Sequence, residues 1–385
     1  MMPAPRVLFA CHTGSISGAE LVLIDLVQPW VGETAFLFED GPLHQALAAK
    51  GLKVRVSRWG EGLSDVRRDS SILKAFPLIG RLGAIIAELT REARRHDVIY
   101  ANSQKAFVLS AVAATLARRP LIWHLHDIIS SAHFGATQRR VQVALANYCT
   151  AKVVVPSQAA ADAFIAEGGR KELVAIVPNG LDVPPDASTP LEIRRELKLP
   201  EGPLVGVFSR LAAWKGQHIV LQALAKTPDV SCIIAGSALF GEEPYAEKLN
   251  RMVADLGLVD RVHFLGQRGD VPRLMRAVDA MIHPSIDPEP FGRTLVEAML
   301  ADVPVIATDA GAASDILEAG KAGTLVPPGD ADALATAIAK VMSHPPELAG
   351  QLQYAEARAR SQYSVDQMLQ TVSGLIGRAA AGAPV

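Results

Sequence analysis

Short apolar runs recur along this chain, and most are followed by a loop and then by apolar residues at helical spacing. They fall at 6–11, 34–38, 53–56, 97–103, 121–127, 152–157 and 174–182, and again at 204–208, 231–237, 261–268, 279–283 and 303–308. A strand that is apolar on both faces must be covered on both faces. Alternation with helices supplies that cover and predicts an α/β fold built on parallel, doubly wound sheets. The series is interrupted once, by the Pro-rich stretch 183–190, whose composition reads as a linker. A length of 385 residues also suits two domains.

One stretch carries the most chemistry. The run 279–283 is a strand that Pro284 ends, and Leu295, Val296, Met299 and Leu300 repeat at helical spacing, so a helix is expected from about Phe291–Gly292. The first N–H groups of that helix, over Phe291, Gly292, Arg293 and Thr294, have no partner within it and form a phosphate site. Glu289 precedes this end and Glu297 lies on the helix. Eight residues apart, the carboxylates cannot share one atom, but they can hold hydroxyls on either side of a bound diphosphate. A nucleotide sugar has that shape: ribose, diphosphate, sugar.

Glu-x7-Glu in the setting Glu289-Pro290-Phe291-Gly292-x4-Glu297-Ala298 resembles the retaining glycosyltransferases of GT-B architecture known as group 1. Ser209-Arg210-Leu211-x3-Lys215-Gly216 is similar to the family's Gly-Arg-Leu-x3-Lys-Gly, with serine where glycine is usual. The turn Val177-Pro178-Asn179-Gly180-Leu181-Asp182, the pair His126-Asp127 and the segments 315–317 and 323–330 also resemble family motifs. In the first loop the family has paired glycines, and Ser17-Gly18-Ala19-Glu20 retains only Gly18. The resemblance implies two Rossmann-like domains facing a cleft: 1–182 for the acceptor, 183–362 for the donor, and a segment 363–385 crossing back to the first domain. It implies that Arg210 and Lys215 hold the diphosphate, that Glu289 binds the transferred sugar, that Glu297 binds the ribose and that His126 faces donor sugar and acceptor. Backbone around Gly266, Gln267 and Arg268 is where the family seats the base. Taken alone, Arg210 and Lys215 read as solvated cations, His126 as a structural histidine, and the loop at Gly18 as a tight turn with no ligand.

Composition narrows the alternatives. Net charge is −2, and no basic patch is interleaved with aromatic residues, so nucleic acid is not an expected partner. Residues 1–185 carry 20 Lys and Arg against 16 Asp and Glu, and the remainder 18 against 24. A basic first half could face a membrane surface or an anionic acceptor. The stripe Leu78, Leu82, Ile85, Ile86, Leu89 and Ala93 fits a crossover helix packed on a sheet better than a membrane-surface helix. Residues 58–76, which include Arg67 and Arg68, read as a long loop near the acceptor. Cys11, Cys149 and Cys232 are far apart and odd in number, which suggests buried free thiols in a reducing cytoplasm. With five residues ahead of the first strand and no apolar run approaching ~20 residues, neither signal peptide nor membrane span is expected. The expected location is the cytoplasm or the inner face of the membrane.

The expected reaction is retaining transfer from a nucleotide-diphosphate sugar to a sugar or lipid-linked acceptor, in bacterial surface polysaccharide or glycolipid assembly. No cofactor and no metal are expected. His124 and His126 lack a third ligand, and no Asp-x-Asp metal motif lies between two of these strands. Two rivals stand beside this reading: a sugar-nucleotide epimerase or hydrolase on the same fold, and a non-catalytic partner subunit, which would usually have lost one of Arg210, Lys215, Glu289 or Glu297.

Overall fold

The computed structural model describes residues 5–61, 76–183, 188–239 and 241–382. The chain forms two units, Met1–Gly180 with Val365–Val385, and Leu181–Ser364.

Unit 1 contains strands β1 (Val7–Cys11), β2 (Thr34–Leu37), β3 (Lys53–Val56), β4 (Val98–Ala101), β5 (Leu121–His124), β6 (Lys152–Val155) and β7 (Val174–Ile176). They form one parallel sheet in the order β3-β2-β1-β4-β5-β6-β7. Five of these strands are buried along their whole length, whereas the edge strands β3 and β7 are partly exposed. Lys53 and Arg55 on β3 guard that edge against further pairing.

Its helices are α1 (Gly18–Leu26), α2 (Pro42–Ala49), α3 (Phe76–Ala93), α4 (Gln104–Ala117), α5 (Ala136–Cys149) and α6 (Gln158–Ala166). The apolar stripe of α3 is buried through Ile85, Leu89 and Ala93, in a core shared with Phe107, Trp123, Val143 and Phe164. Phe107 and Trp123 stack at 4.0 Å. That makes α3 a packed crossover helix. Of the loop expected over 58–76, residues 62–75 lie outside the described residues, and Phe76 already opens α3.

Unit 2 has β8 (Leu204–Phe208), β9 (Ser231–Ala235), β10 (Val262–Gly266), β11 (Ala280–His283), β12 (Val305–Thr308) and β13 (Thr324–Val326). They form a second parallel sheet, ordered β10-β9-β8-β11-β12-β13. The helices are α7 (Pro190–Glu196), α8 (Gln217–Leu224), α9 (Glu243–Asp255), α10 (Val271–Arg276), α11 (Arg293–Leu300), α12 (Ala313–Ile316), α13 (Ala331–Met342) and α14 (Leu348–Gln362). The Pro-rich stretch is not linker to its end. Thr189 caps α7, and Pro190 sits in its first turn, where its missing N–H costs nothing; residues 184–187 lie outside those described. The last helix, α15 (Val365–Ala380), buries Met368, Val372 and Ile376 in the core of unit 1, beside Val22 and Leu47.

Both sheets are the doubly wound parallel arrangement that the alternation predicts. In each, strand order reverses beside the first strand, at β1/β4 and at β8/β11. Such reversals leave a crevice outside the carboxyl ends of the strands, because the connecting helices depart to opposite faces. Cys11 and Cys232 are buried free thiols, and burial pushes Cys232 up to about 12. Cys149, expected buried as well, is half-buried at the end of α5.

Candidate active site

In unit 2 the loops after β8 and β11 meet at the order reversal. Gly216, at φ 72°, begins α8, and a Cβ there would lie 2.0 Å from the Pro284 carbonyl oxygen. Only glycine permits both the left-handed turn and this approach. Ile286 N–H donates to the Trp214 carbonyl at 2.8 Å and ties the loops together. Gly311 does the same from the other side: a Cβ would come within 2.4 Å of Glu289 backbone atoms, and the two residues pair as an isolated bridge.

This framework brings Lys215 and Glu289 into one ion pair, Nζ to Oε1 at 2.5 Å, with side chains only 12% and 8% exposed. Neither motif announced that pairing. Ser285 Oγ–H also donates to Glu289 Oε1, and His283 Nε2 lies 3.0 Å from the same oxygen. A carboxylate partner requires a proton on Nε2, and Nδ1 on the other side of the ring lies 3.3 Å from Thr294 Oγ1. Burial alone would raise the Glu289 pKa, but the charges and hydrogen bonds of Lys215 and His283 outweigh it and hold the carboxyl well below its ordinary range. All three donors converge on Oε1, and Oε2 receives none among the described residues.

Trp214 gathers the cations. Lys215 Nζ stands 4.2 Å from its ring centroid and the Arg210 guanidinium carbon 5.5 Å. Gln217 Nε2 donates to the Arg210 carbonyl and to Ser209 Oγ, both at 2.9 Å, and holds the loop closed. On α11, Arg293 and Glu297 pair across one turn at 3.7 Å.

The helix begins slightly later than the apolar spacing implied. Gly292, at φ 84°, is its N-cap, so the first helical N–H groups belong to Arg293 and Thr294 rather than Phe291. The Phe291 side chain is buried in the core, edge-on to Tyr363 at 5.7 Å. Gly266 and Gln267 are exposed at the end of β10, two strands from β8 on the same edge, and Arg268 is held bidentately by Asp270 at 2.8 and 2.7 Å.

In unit 1 the carboxyl ends of β1, β4 and β5 carry a second polar group. His126 Nε2 lies 3.0 Å from Asn102 Oδ1, and Asn102 Nδ2 donates to the Ala19 carbonyl at 3.1 Å. His124, fully buried against Tyr100 OH at 2.8 Å, is kept neutral by burial and faces the His126 ring at 3.9 Å. Asp127 accepts from Gln104 Nε2 at 2.9 Å. Ser103 Oγ accepts the Ala106 N–H as helix cap and shares a 2.8 Å hydrogen bond with His12 Nδ1. Burial, with the charge of Lys105, pushes His12 down to about 4 and leaves a neutral imidazole. Gly18 is the first residue of α1, behind a Ser17–Glu20 capping box. The glycine that needs its freedom in this loop is Gly14, where a Cβ would lie 2.2 Å from the Asp40 carbonyl.

His12, Trp214, His283 and Ser285 went unnoticed in the sequence. His12 follows a strand and His283 ends one, and position at a strand's carboxyl end was the available signal. Among the described residues no three His, Cys, Asp or Glu come together as a metal site.

Two parallel-sheet units with polar groups at their order reversals define the GT-B class. Family models match over most of the chain: glycosyl transferases group 1 at residues 190–359 and a glycosyl transferase 4-like domain at 32–180. The chain belongs to the group 1 glycosyltransferases. It superposes on Anabaena Alr3699/HepE in complex with UDP-glucose with a TM-score of 0.87 and 38% identity, covering 97% of this chain and 99% of that one. The 2-deoxystreptamine glucosyltransferase of Streptomyces kanamyceticus is 27% identical over 365 residues, 84% of this chain and 92% of that enzyme. The lipopolysaccharide core biosynthesis mannosyltransferase LpsB of Rhizobium meliloti is 32% identical over 230 residues, 56% of this chain and 65% of the relative, just under two thirds of its length.

Proposed function

We propose that this protein transfers a glycosyl group, with retention, from a nucleotide-diphosphate sugar to a sugar or lipid-linked acceptor in surface polysaccharide or glycolipid assembly, without a metal ion. The observation that supports it most is the convergence of Arg210, Lys215, Glu289 and the start of α11 on one strand-order reversal. Breaking the anomeric C–O bond places negative charge on the departing diphosphate. Arg210, the Lys215 protons not engaged by Glu289, and the N–H groups of Arg293 and Thr294 meet that charge in a shielded pocket. Oε2 of Glu289 accepts from a hydroxyl of the transferred sugar, and Glu297 from the ribose. With no enzymic nucleophile assigned, the acceptor attacks from the face the diphosphate leaves, and the leaving phosphate takes its proton. His126 keeps the role implied by its His-Asp motif, contact with donor sugar and acceptor.

Thermal unfolding against a panel of nucleotide sugars tests the reading. A donor at a hundredfold excess over its Kd adds about 2.7 kcal/mol to the folded state. Release of nucleoside diphosphate should then depend on an added acceptor. Release without one, or interconversion of the sugar alone, would favour the epimerase or hydrolase reading.

A further inference from the structure

Ser209 stands where the motif usually has glycine, and the roles given to Arg210 and Lys215 leave it without one. It directly follows β8 and stays in the ladder, its N–H donating to the Ala235 carbonyl at 3.1 Å. Its backbone is not left-handed, so nothing in the main chain calls for glycine here. The side chain is half-buried beside Arg210, at the carboxyl end of β8.

What turns the hydroxyl is Gln217, the first residue of α8, which is fully buried. Its Nε2 donates to the Arg210 carbonyl and to Ser209 Oγ. A carbonyl can only accept, which fixes the orientation of the amide, and both of its protons are then used. Ser209 Oγ therefore accepts from Gln217 and keeps its own proton, for which no acceptor lies among the described residues. The other end of the amide is anchored from α9: Tyr245 OH lies 3.2 Å from Gln217 Oε1 and accepts the His218 N–H at 3.2 Å. Burial pushes the phenol up to about 12, so it stays protonated. The loop after β9 closes on the same peptide. Leu211 N–H donates to the Ser237 carbonyl at 3.0 Å, and a Cβ on Gly236 would lie 1.9 Å from the Ser209 carbonyl oxygen.

We propose that the Ser209 hydroxyl is a further donor to the diphosphate of the sugar nucleotide, with Gln217 and Tyr245 as the positioning residues that aim it. A hydroxyl that accepts on one side is polarised to donate on the other. It adds a short, neutral contact beside Arg210 without adding to the repulsion between the cations. The inference deepens the proposed function and rests on that reading's placement of the diphosphate.

Calorimetric titration of the full chain with inorganic pyrophosphate, in the presence of chelator, tests it. Ser209→Ala and Ser209→Gly should each weaken binding about tenfold, as for one hydrogen bond to a charged group. Gln217→Leu should weaken it at least as much, since it also releases the Arg210 carbonyl. In the double variant Ser209→Ala/Gln217→Leu the losses should be less than additive, because the amide acts through the hydroxyl. Tyr245→Phe, which keeps the ring, should give a smaller loss in the same direction, and it replaces Gln217→Leu in the cycle if that variant does not fold. Unchanged affinity in Ser209→Ala, with only a lower melting temperature, would overturn the inference, because the hydroxyl would then serve the buried amide alone. Strictly additive losses would overturn the positioning role of Gln217. A wild type that does not bind pyrophosphate would overturn the diphosphate reading together with this inference. A wild type that binds it, matched by Ser209→Ala, would overturn this inference alone.

Discussion

Replacing Glu289 by Gln separates what the carboxylate does for the fold from what it does for the reaction. In the native chain the charge is buried with Lys215 at 2.5 Å and His283 at 3.0 Å. Removing one member of a buried ion pair leaves the other uncompensated and costs about 3–5 kcal/mol. Gln keeps the shape and an oxygen for Ser285, so the lower end, about 3 kcal/mol, is expected from denaturant unfolding. The amide also ceases to compete with a diphosphate for Lys215. Nucleoside diphosphate affinity should therefore hold or rise while kcat falls, because sugar-hydroxyl contacts that tighten in the transition state are weakened. A double-mutant cycle with Lys215→Met should show the two losses to be less than additive. The acid limb carries the same signature. A carboxyl held low in the folded state stabilises fully above its ordinary pKa, about 4.3, and loses that contribution as pH falls through the lower folded value. Wild type should thus lose stability more steeply than Glu289→Gln below that point. A variant as stable as wild type, with weakened nucleotide binding and normal turnover, would refute the reasoning on every count.

Other outcomes follow from the same geometry. Lys215→Ala or Arg210→Ala should cost roughly 2–4 kcal/mol in kcat/KM, as for one preorganised donor; unchanged turnover would mark both as bystanders. Glu297→Gln should raise donor KM with kcat largely kept, since the ribose does not change during transfer; the opposite split would mean the donor lies reversed. Transfer should survive excess chelator, and loss restored by Mg²⁺ or Mn²⁺ would defeat the metal-free mechanism. Trp214 is the only one of four tryptophans outside unit 1, and it touches both cations. Pyrophosphate should alter tryptophan emission in wild type but not in Trp214→Phe, and an unaltered wild-type spectrum would dissociate Trp214 from the diphosphate site.

The two sheets were legible in the sequence because a strand buried between helix layers must be apolar at nearly every position, and a crossover helix must present one stripe. Those requirements are local, so they survive in a linear reading, as does the strand–loop–helix setting of Glu289 and Glu297. Boundaries were less legible. Gly292 caps α11 through its left-handed backbone, and Pro190 opens a helix rather than extending a linker; both depend on the neighbouring backbone as much as on residue type.

The partners of each site residue were decided by tertiary structure alone. Lys215 and Glu289 lie 74 positions apart and meet because β8 and β11 are neighbours at the order reversal, with Gly216 and Gly311 allowing backbones to touch. His283 and Ser285 join them through the same loop. No periodicity encodes which oxygen of Glu289 receives the three donors found among the described residues.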